Sequence, residues 1–324
     1  MSTTDQREVP TFGSGPRAGR VQRPTSLKKQ SSRNGERVVM GGLFGAAMLS
    51  VLITLGIVVA LVSPALEFFR EVSVVDFLTG TRWAPRFAGQ ESYGVLPLVT
   101  GTAWTTAIAL LIAIPFGLGA AVYLSEYAPA RVRKVLKPVL ELLAGIPSVV
   151  YGFFALTFIT PTVLKGLLHL EVGTFSVLAA GIALGIMIIP TVASLSEDAM
   201  SAVPDSLRQG SLALGANRMR TTLRVVVPAA ISGIAASVVL GLSRAVGETM
   251  IVALAAGTQP RMVTGATELG QTMTGFIAQT ATGESTPGTL GFDSLYAVGL
   301  LLFVMTLIIN VISIRLVRRF REAY

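Results

Sequence analysis

Two side chains in this sequence have both the chemistry and the setting to matter. Arg244 and Glu248 interrupt residues 225–257, a segment otherwise apolar and of helical length. A charge at the centre of a bilayer costs about 2.5–3.5 kcal/mol on insertion scales, so it needs a reason to be there. The i,i+4 spacing predicts that both lie on one helix face, where pairing lowers the cost of each. Steps of three and four carry that face back through Gly241, Ser237 and Gly233, and Thr249 adds a hydroxyl beside Glu248. Two readings stay open: a buried ion pair that fixes helix geometry, or a polar lining whose forked guanidinium donors match the oxygens of an anion. Ser148 and Tyr151, beside Pro147, are neutral donors suited to the same route or to ordinary hydrogen bonds between helices.

Other chemistries are excluded by what is missing. The chain has no cysteine, which removes disulfides, thiol catalysis and thiolate metal sites, and its single histidine lies in a short linker. Neither a Ser–His dyad nor an HExxH metal helix fits such a sequence. None of the five lysines follows a glycine, so no phosphate-cradling GxxxxGK[ST] loop exists and nucleotide chemistry must reside in another chain.

The elements that must position these residues are membrane helices. Of 324 residues, 52% are hydrophobic and only 14% charged, against about 25% charged in an ordinary soluble domain. Residues 38–66, 92–125, 142–164, 172–196 and 294–314 carry no charge, and each run exceeds the roughly 18 residues that read as a span. Counting the Arg244 segment gives six. A net charge of +8 would suggest nucleic acid in a soluble protein, but here the charges follow topology. Lys and Arg concentrate in residues 1–37, 126–141 and 197–224 and after residue 314, which predicts both termini in the cytoplasm and no role in nucleic-acid binding. The N-terminal stretch is rich in Ser, Gly, Pro and Arg and is expected to be disordered, with its cations available to anionic headgroups.

The expected organisation is a basic cytoplasmic tail (1–37), a first span (38–66) and an extracytoplasmic loop (67–93), followed by a core over 94–316 and a cytoplasmic tail (317–324). Within the core, helices are expected near 97–124, 139–162, 173–195, 226–256 and 294–314, with a cytoplasmic loop at 197–225. Small residues four apart in GIALG, residues 181–185, suit close helix packing in lipid. The outer segment 259–292 reads either as a partly helical lid over the pathway or as a tether.

The loop 198–228 is too regular for an unstructured connection. Leu207, Leu212, Leu214, Met219 and Leu223 alternate with Arg208, Arg218, Arg220 and Arg224, a pattern of short amphipathic helices that lie on headgroups or dock into a partner. Gly215, followed by nine residues and then Val225, Val226, Val227 and Pro228, resembles the second half of the EAA loop of binding-protein-dependent ABC importer permeases. Gln209, Gly210 and Ser211 stand where that family has Glu-Ala-Ala.

Three further segments resemble the permeases of the Pst phosphate importer: RAVGETM (244–250), AGIPSVVYG (144–152) and MTGFIA (273–278). With the loop they run in family order from about residue 94 to the C-terminus and favour the C-type subunit over the A-type. The resemblance implies an all-α, polytopic, six-helix type I ABC importer permease in the bacterial cytoplasmic membrane. It further implies an A-type permease partner, two ATPase subunits that bind ATP and Mg, and an extracytoplasmic phosphate-binding protein. On that reading phosphate passes Arg244, Glu248, Thr249, Ser237, Ser148 and Tyr151, Glu248 holds Arg244 when no phosphate is present, and Gln209, Gly210, Ser211, Gly215 and Pro228 form the ATPase coupling loop. No cofactor or metal is expected in this chain. A self-powered anion carrier, a permease for another oxyanion and a non-transporting membrane scaffold or phosphate-sensing component are the competing functions.

Overall fold

The computed structural model describes residues 33–85, 89–283 and 286–319, so most of the basic N-terminal tail and residues 320–324 lie outside it. Contacts divide the chain into two units, residues 1–55 and 56–324. The described part of the first unit is the opening of helix α1 (Arg33–Glu71), in which residues 35–55 are exposed. In the second unit α1 ends and is followed by α2 (Val74–Thr79), a short antiparallel pair β1 (Trp83–Ala84) and β2 (Ser92–Tyr93), and α3 (Leu96–Val122), which continues as a π-helical turn to Tyr127.

Next come α4 (Ala130–Ala144), α5 (Ser148–Phe154), extended by wide turns to Leu167, and α6 (Val177–Ser201). The loop after α6 forms α7 (Asp205–Ala213) and α8 (Arg218–Thr221), and the chain re-enters the core through α9 (Val227–Ala229) and α10 (Ile231–Gly247). The last elements are α11 (Met250–Ala255), α12 (Met273–Thr282) and α13 (Leu290–Arg319).

Five described helices are long and apolar enough to cross a membrane, and a sixth span results if Arg218–Ala229 and Ile231–Gly247, bent by 71°, count as one. The architecture is all-α apart from the two-residue strands, which the sequence did not suggest. At the centre stands α6, with 15 of its 25 residues buried. Its N-terminus is capped by Ser176, whose Oγ accepts from the Ala179 amide at 3.1 Å. On one side it packs against α3 so closely that a Cβ on Gly185 would sit 2.9 Å from the Ala109 carbonyl oxygen. Without a hydrophobic drive between helices in lipid, such backbone approach supplies the dispersion contacts that hold them together.

Two expected helices are interrupted. Pro147 divides the helix expected at 139–162, because α4 stops at Ala144 and α5 starts at Ser148. The helix expected at 226–256 is three pieces, bent at Ala230 and broken at Glu248. Residues 257–272 are not a loose tether, since the amides of Val177 and Leu178 at the start of α6 donate to the carbonyls of Glu268 and Ala266, each at 2.9 Å. Trp104 Nε1 on α3 holds the same segment through the Val263 carbonyl at 3.1 Å.

Candidate functional site

The break at Glu248 is where three distant segments meet. Gly247 ends α10, and Glu248 takes an extended backbone with ψ 132°. Its carboxylate turns to the next helix: Oε1 accepts from the amides of Met250 at 3.0 Å and Ile251 at 3.3 Å. These amides would otherwise be the unsatisfied donors of the first turn of α11, where a negative group is also favoured by the helix dipole. From α12, the Thr274 hydroxyl donates to the Glu248 carbonyl at 2.6 Å. From α5, Gly152 lets α11 approach, since a Cβ there would stand 2.9 Å from Leu254 Cδ1 and 3.2 Å from Ile251 Cα. The segments 144–152, 244–250 and 273–278 are therefore neighbours in space.

This geometry corrects the expected ion pair. Because the helix stops at Gly247, Arg244 and Glu248 do not share a helical face, and they form no salt bridge. Arg244 instead reaches α6, where Nη1 donates to Thr191 Oγ1 at 3.2 Å. Among the described residues it has no carboxylate partner.

The small stripe behind Arg244 also has a different use. A Cβ on Gly241 would stand 3.1 Å from Ile188 Cγ2, and one on Gly233 would stand 2.4 Å from Ala199 Cβ. Ser237, fully buried, shares a 2.7 Å hydroxyl contact with Ser196. This stripe is the seam that presses α10 onto α6, so Ser237 faces a helix and no open route in this structure. Tyr151 likewise spends its hydroxyl on the Leu143 carbonyl at 3.1 Å, tying α5 across the Pro147 break to α4. Ser148 and Thr249 are partly buried, and the Thr249 hydroxyl makes only a long 3.4 Å contact with the Gly247 carbonyl. Of the six expected pathway residues, Arg244, Glu248, Thr249 and Tyr151 lie around the break, Ser148 opens α5, and Ser237 is in the seam.

The loop residues form a second site. Gln209 and Gly210 are exposed on α7, no residue of which is buried. Ser211 Oγ pairs with Thr221 Oγ1 at 2.9 Å, linking α7 to α8. Gly215 turns the chain at φ 82°, a conformation costly for residues with a Cβ, and Asn217 then caps α8 by accepting from the Arg220 amide at 2.8 Å. Pro228 lies in the first turn of α9, just before the bend. Leu214 is 91% exposed and Met219 63%.

Beneath this loop the structure shows ionic contacts that sequence reasoning missed. Glu197, fully buried at the end of α6, accepts from Arg133 and from Lys137 Nζ, the latter at 2.7 Å, both on α4. Hydrogen bonds that Lys137 Nζ donates to Asp198 and then Glu197 raise the Lys137 pKa above its ordinary value. Glu126, in the π-turn after α3, pairs with Arg208 of α7 at 3.0 Å. One sequence signal points to them: Glu126 and Glu197 are each the first charge after a long uncharged run, and Arg133 and Lys137 are i,i+4 on one helix.

Residues 113–323 match the family described as binding-protein-dependent transport system inner membrane component. The chain belongs to this family. It is a multi-pass membrane transport permease. It is 39% identical to a probable ABC transporter permease protein of Bacillus subtilis, YqgH, with 80% of this chain and 84% of the relative covered. Phosphate transport system permease protein PstC of Mesorhizobium japonicum is 33% identical, covering 83% of this permease and 85% of that protein. The Mycobacterium tuberculosis protein PstC 1 is 36% identical, with coverage of 76% and 82%.

Among solved structures, a bacterial ABC transporter that imports alginate aligns over 90% of this chain and all of the other, with TM-score 0.61 and 16% identity. A subunit of the inward-facing MetNI methionine ABC transporter aligns over 69% of this chain and 96% of its own, with TM-score 0.53 and 21% identity. The fold is that of type I ABC importer permeases.

Proposed function

We propose that this chain is the C-type permease subunit of an ATP-driven importer of inorganic phosphate. It works beside an A-type permease, above two ATPase chains that bind ATP and Mg, and below an extracytoplasmic phosphate-binding protein. Both termini lie in the cytoplasm, a placement that the distribution of Lys and Arg supports.

The observation that carries the reading is Arg244: a guanidinium within the spans that has a hydroxyl for a partner and no carboxylate among the described residues. A cation already neutralised by Glu248 would have little left to offer an anion. Here Glu248 is occupied with the α11 amides, so Arg244 retains donors for a tetrahedral oxyanion. The single hydroxyl bond keeps the side chain placed without forming a trap, as passage requires. The kinship with PstC proteins supports phosphate as that oxyanion. On the cytoplasmic side, the exposed Leu212, Leu214, Met219 and Leu223 around Gly215 offer an apolar face for the ATPases. Their closure moves the loop and rotates the helices from inward to outward access.

The test is uptake of radiolabelled phosphate by phosphate-starved cells lacking this chain. Complementation is expected to restore uptake that excess unlabelled sulfate leaves unchanged. Restored sulfate uptake with no phosphate uptake would move the reading to another oxyanion.

A further inference from the structure

Something must transmit movement of an almost wholly exposed loop into a tightly packed core, and the structure offers one side chain for it. Arg208 projects from α7, yet its side chain is only 18% exposed. A guanidinium has five N–H donors. Nη2 donates to Glu126 Oε1 at 3.0 Å and to the Met200 carbonyl at 2.8 Å. Nη1 donates to the Val203 carbonyl and to Asp205 Oδ1 at 3.1 Å, and Nε reaches Glu126 Oε2 at 3.5 Å. All five are used, on acceptors from the end of α3, the end of α6 and the start of α7.

The carboxylate at the other end is equally fixed. Glu126 is 8% exposed, sits in the π-turn that closes α3 and accepts also from Ser125 Oγ at 2.9 Å. The two helices grasped by Arg208 pack together at Gly185, and one of them carries Thr191, the partner of Arg244.

We propose that Arg208 is the positioning residue that couples the cytoplasmic loop to the transport helices. Through Glu126 and the carbonyls of Met200 and Val203 it makes α7 move as one body with α3 and α6. This inference rests on the permease reading and adds the internal linkage to it. A second tie between the loop and the end of α3 leaves folding intact when this one is weakened: Arg218 lies over the Tyr127 ring at 5.2 Å. A lysine at 208 keeps the charge but has three donors on one nitrogen, too few and too compact to span the three elements.

The experiment uses the complete complex in liposomes with loaded binding protein outside, and follows phosphate uptake and ATP hydrolysis together. Arg208→Lys is expected to keep subunit stoichiometry and basal hydrolysis while losing the hydrolysis stimulated by binding protein and lowering uptake about tenfold or more, within the usual range of coupling free energies. Glu126→Gln, which keeps shape and removes charge, is expected to do the same. Should Arg208→Lys fail to assemble, Glu126→Gln decides. Wild-type stimulation and uptake per ATP in either assembled variant would overturn the proposal. Wild-type complex that couples ATP to an oxyanion other than phosphate would revise the substrate alone, since loss of stimulation is read in the same way.

Discussion

The permease handles charge in opposite ways at two places. Around the break at Glu248, a guanidinium within the spans is left with a hydroxyl and without a carboxylate, and the nearby Glu248 is turned away to cap a helix. Beneath the loop between α6 and α9, Glu126 and Glu197 are nearly or wholly buried, the first bound to one cation and the second to two, in each case from a different helix. Unspent charge suits a ligand that comes and goes, whereas satisfied charge suits a joint. Electrostatics therefore distinguishes the region proposed for transport from the one proposed for coupling, even though both are built from arginine and glutamate.

The contrast can be broken at several points. The largest effect is expected for Glu197→Ala, which strips the joint between α4 and α6 of its acceptor. Loss of one partner of a buried pair costs ~3–5 kcal/mol. Arg133 and Lys137 are 37% and 28% exposed and can turn to water, so about 2–3 kcal/mol is expected, read as lower resistance to unfolding in detergent. A stable variant would mean that the joint is ornamental.

A smaller effect is expected for Thr191→Val, which removes the hydroxyl holding Arg244 and leaves the packing alone. Uptake should fall about three- to tenfold, in line with roughly 1 kcal/mol for a lost hydrogen bond, with the complex intact.

The smallest effect concerns the segment 257–272. Glu268 accepts from the Thr264 amide at 3.0 Å and its hydroxyl at 2.8 Å, and these bonds lower its pKa below the ordinary 4.5. A depressed carboxyl contributes stability above the unfolded value and loses it as pH falls through the folded one. The protection of the Thr264 amide, measured as exchange relative to its intrinsic rate at each pH, should therefore fall as pH drops below 4.5, and Glu268→Gln should abolish that dependence.

Much of the fold was legible because lipid imposes long uncharged runs, and such runs need no tertiary information to be seen. The turn at Gly215 and the three segments that meet at the break were readable for a similar reason, as each is local in sequence. What could not be read was where helices stop. The i,i+4 relation of Arg244 and Glu248 presumed one helix, but the Glu248 carboxylate satisfies the α11 amides and the helix ends first. Ser237 was misread because a stripe of small residues looks the same whether it lines a pore or a packing seam. Glu126 and Glu197 were passed over because their partners lie 82 and 64 residues away, and counting loop charges for topology treats every such residue as solvated.

The most direct test of the contrast is phosphate uptake and stimulated ATP hydrolysis by the reconstituted complex carrying Arg244→Gln. If Arg244 serves the anion and Arg208 serves the coupling, this variant should transport at least about tenfold less phosphate while its hydrolysis still responds to the binding protein. Uptake equal to wild type in an intact complex would contradict the role given to Arg244 and leave it a bond between α10 and α6.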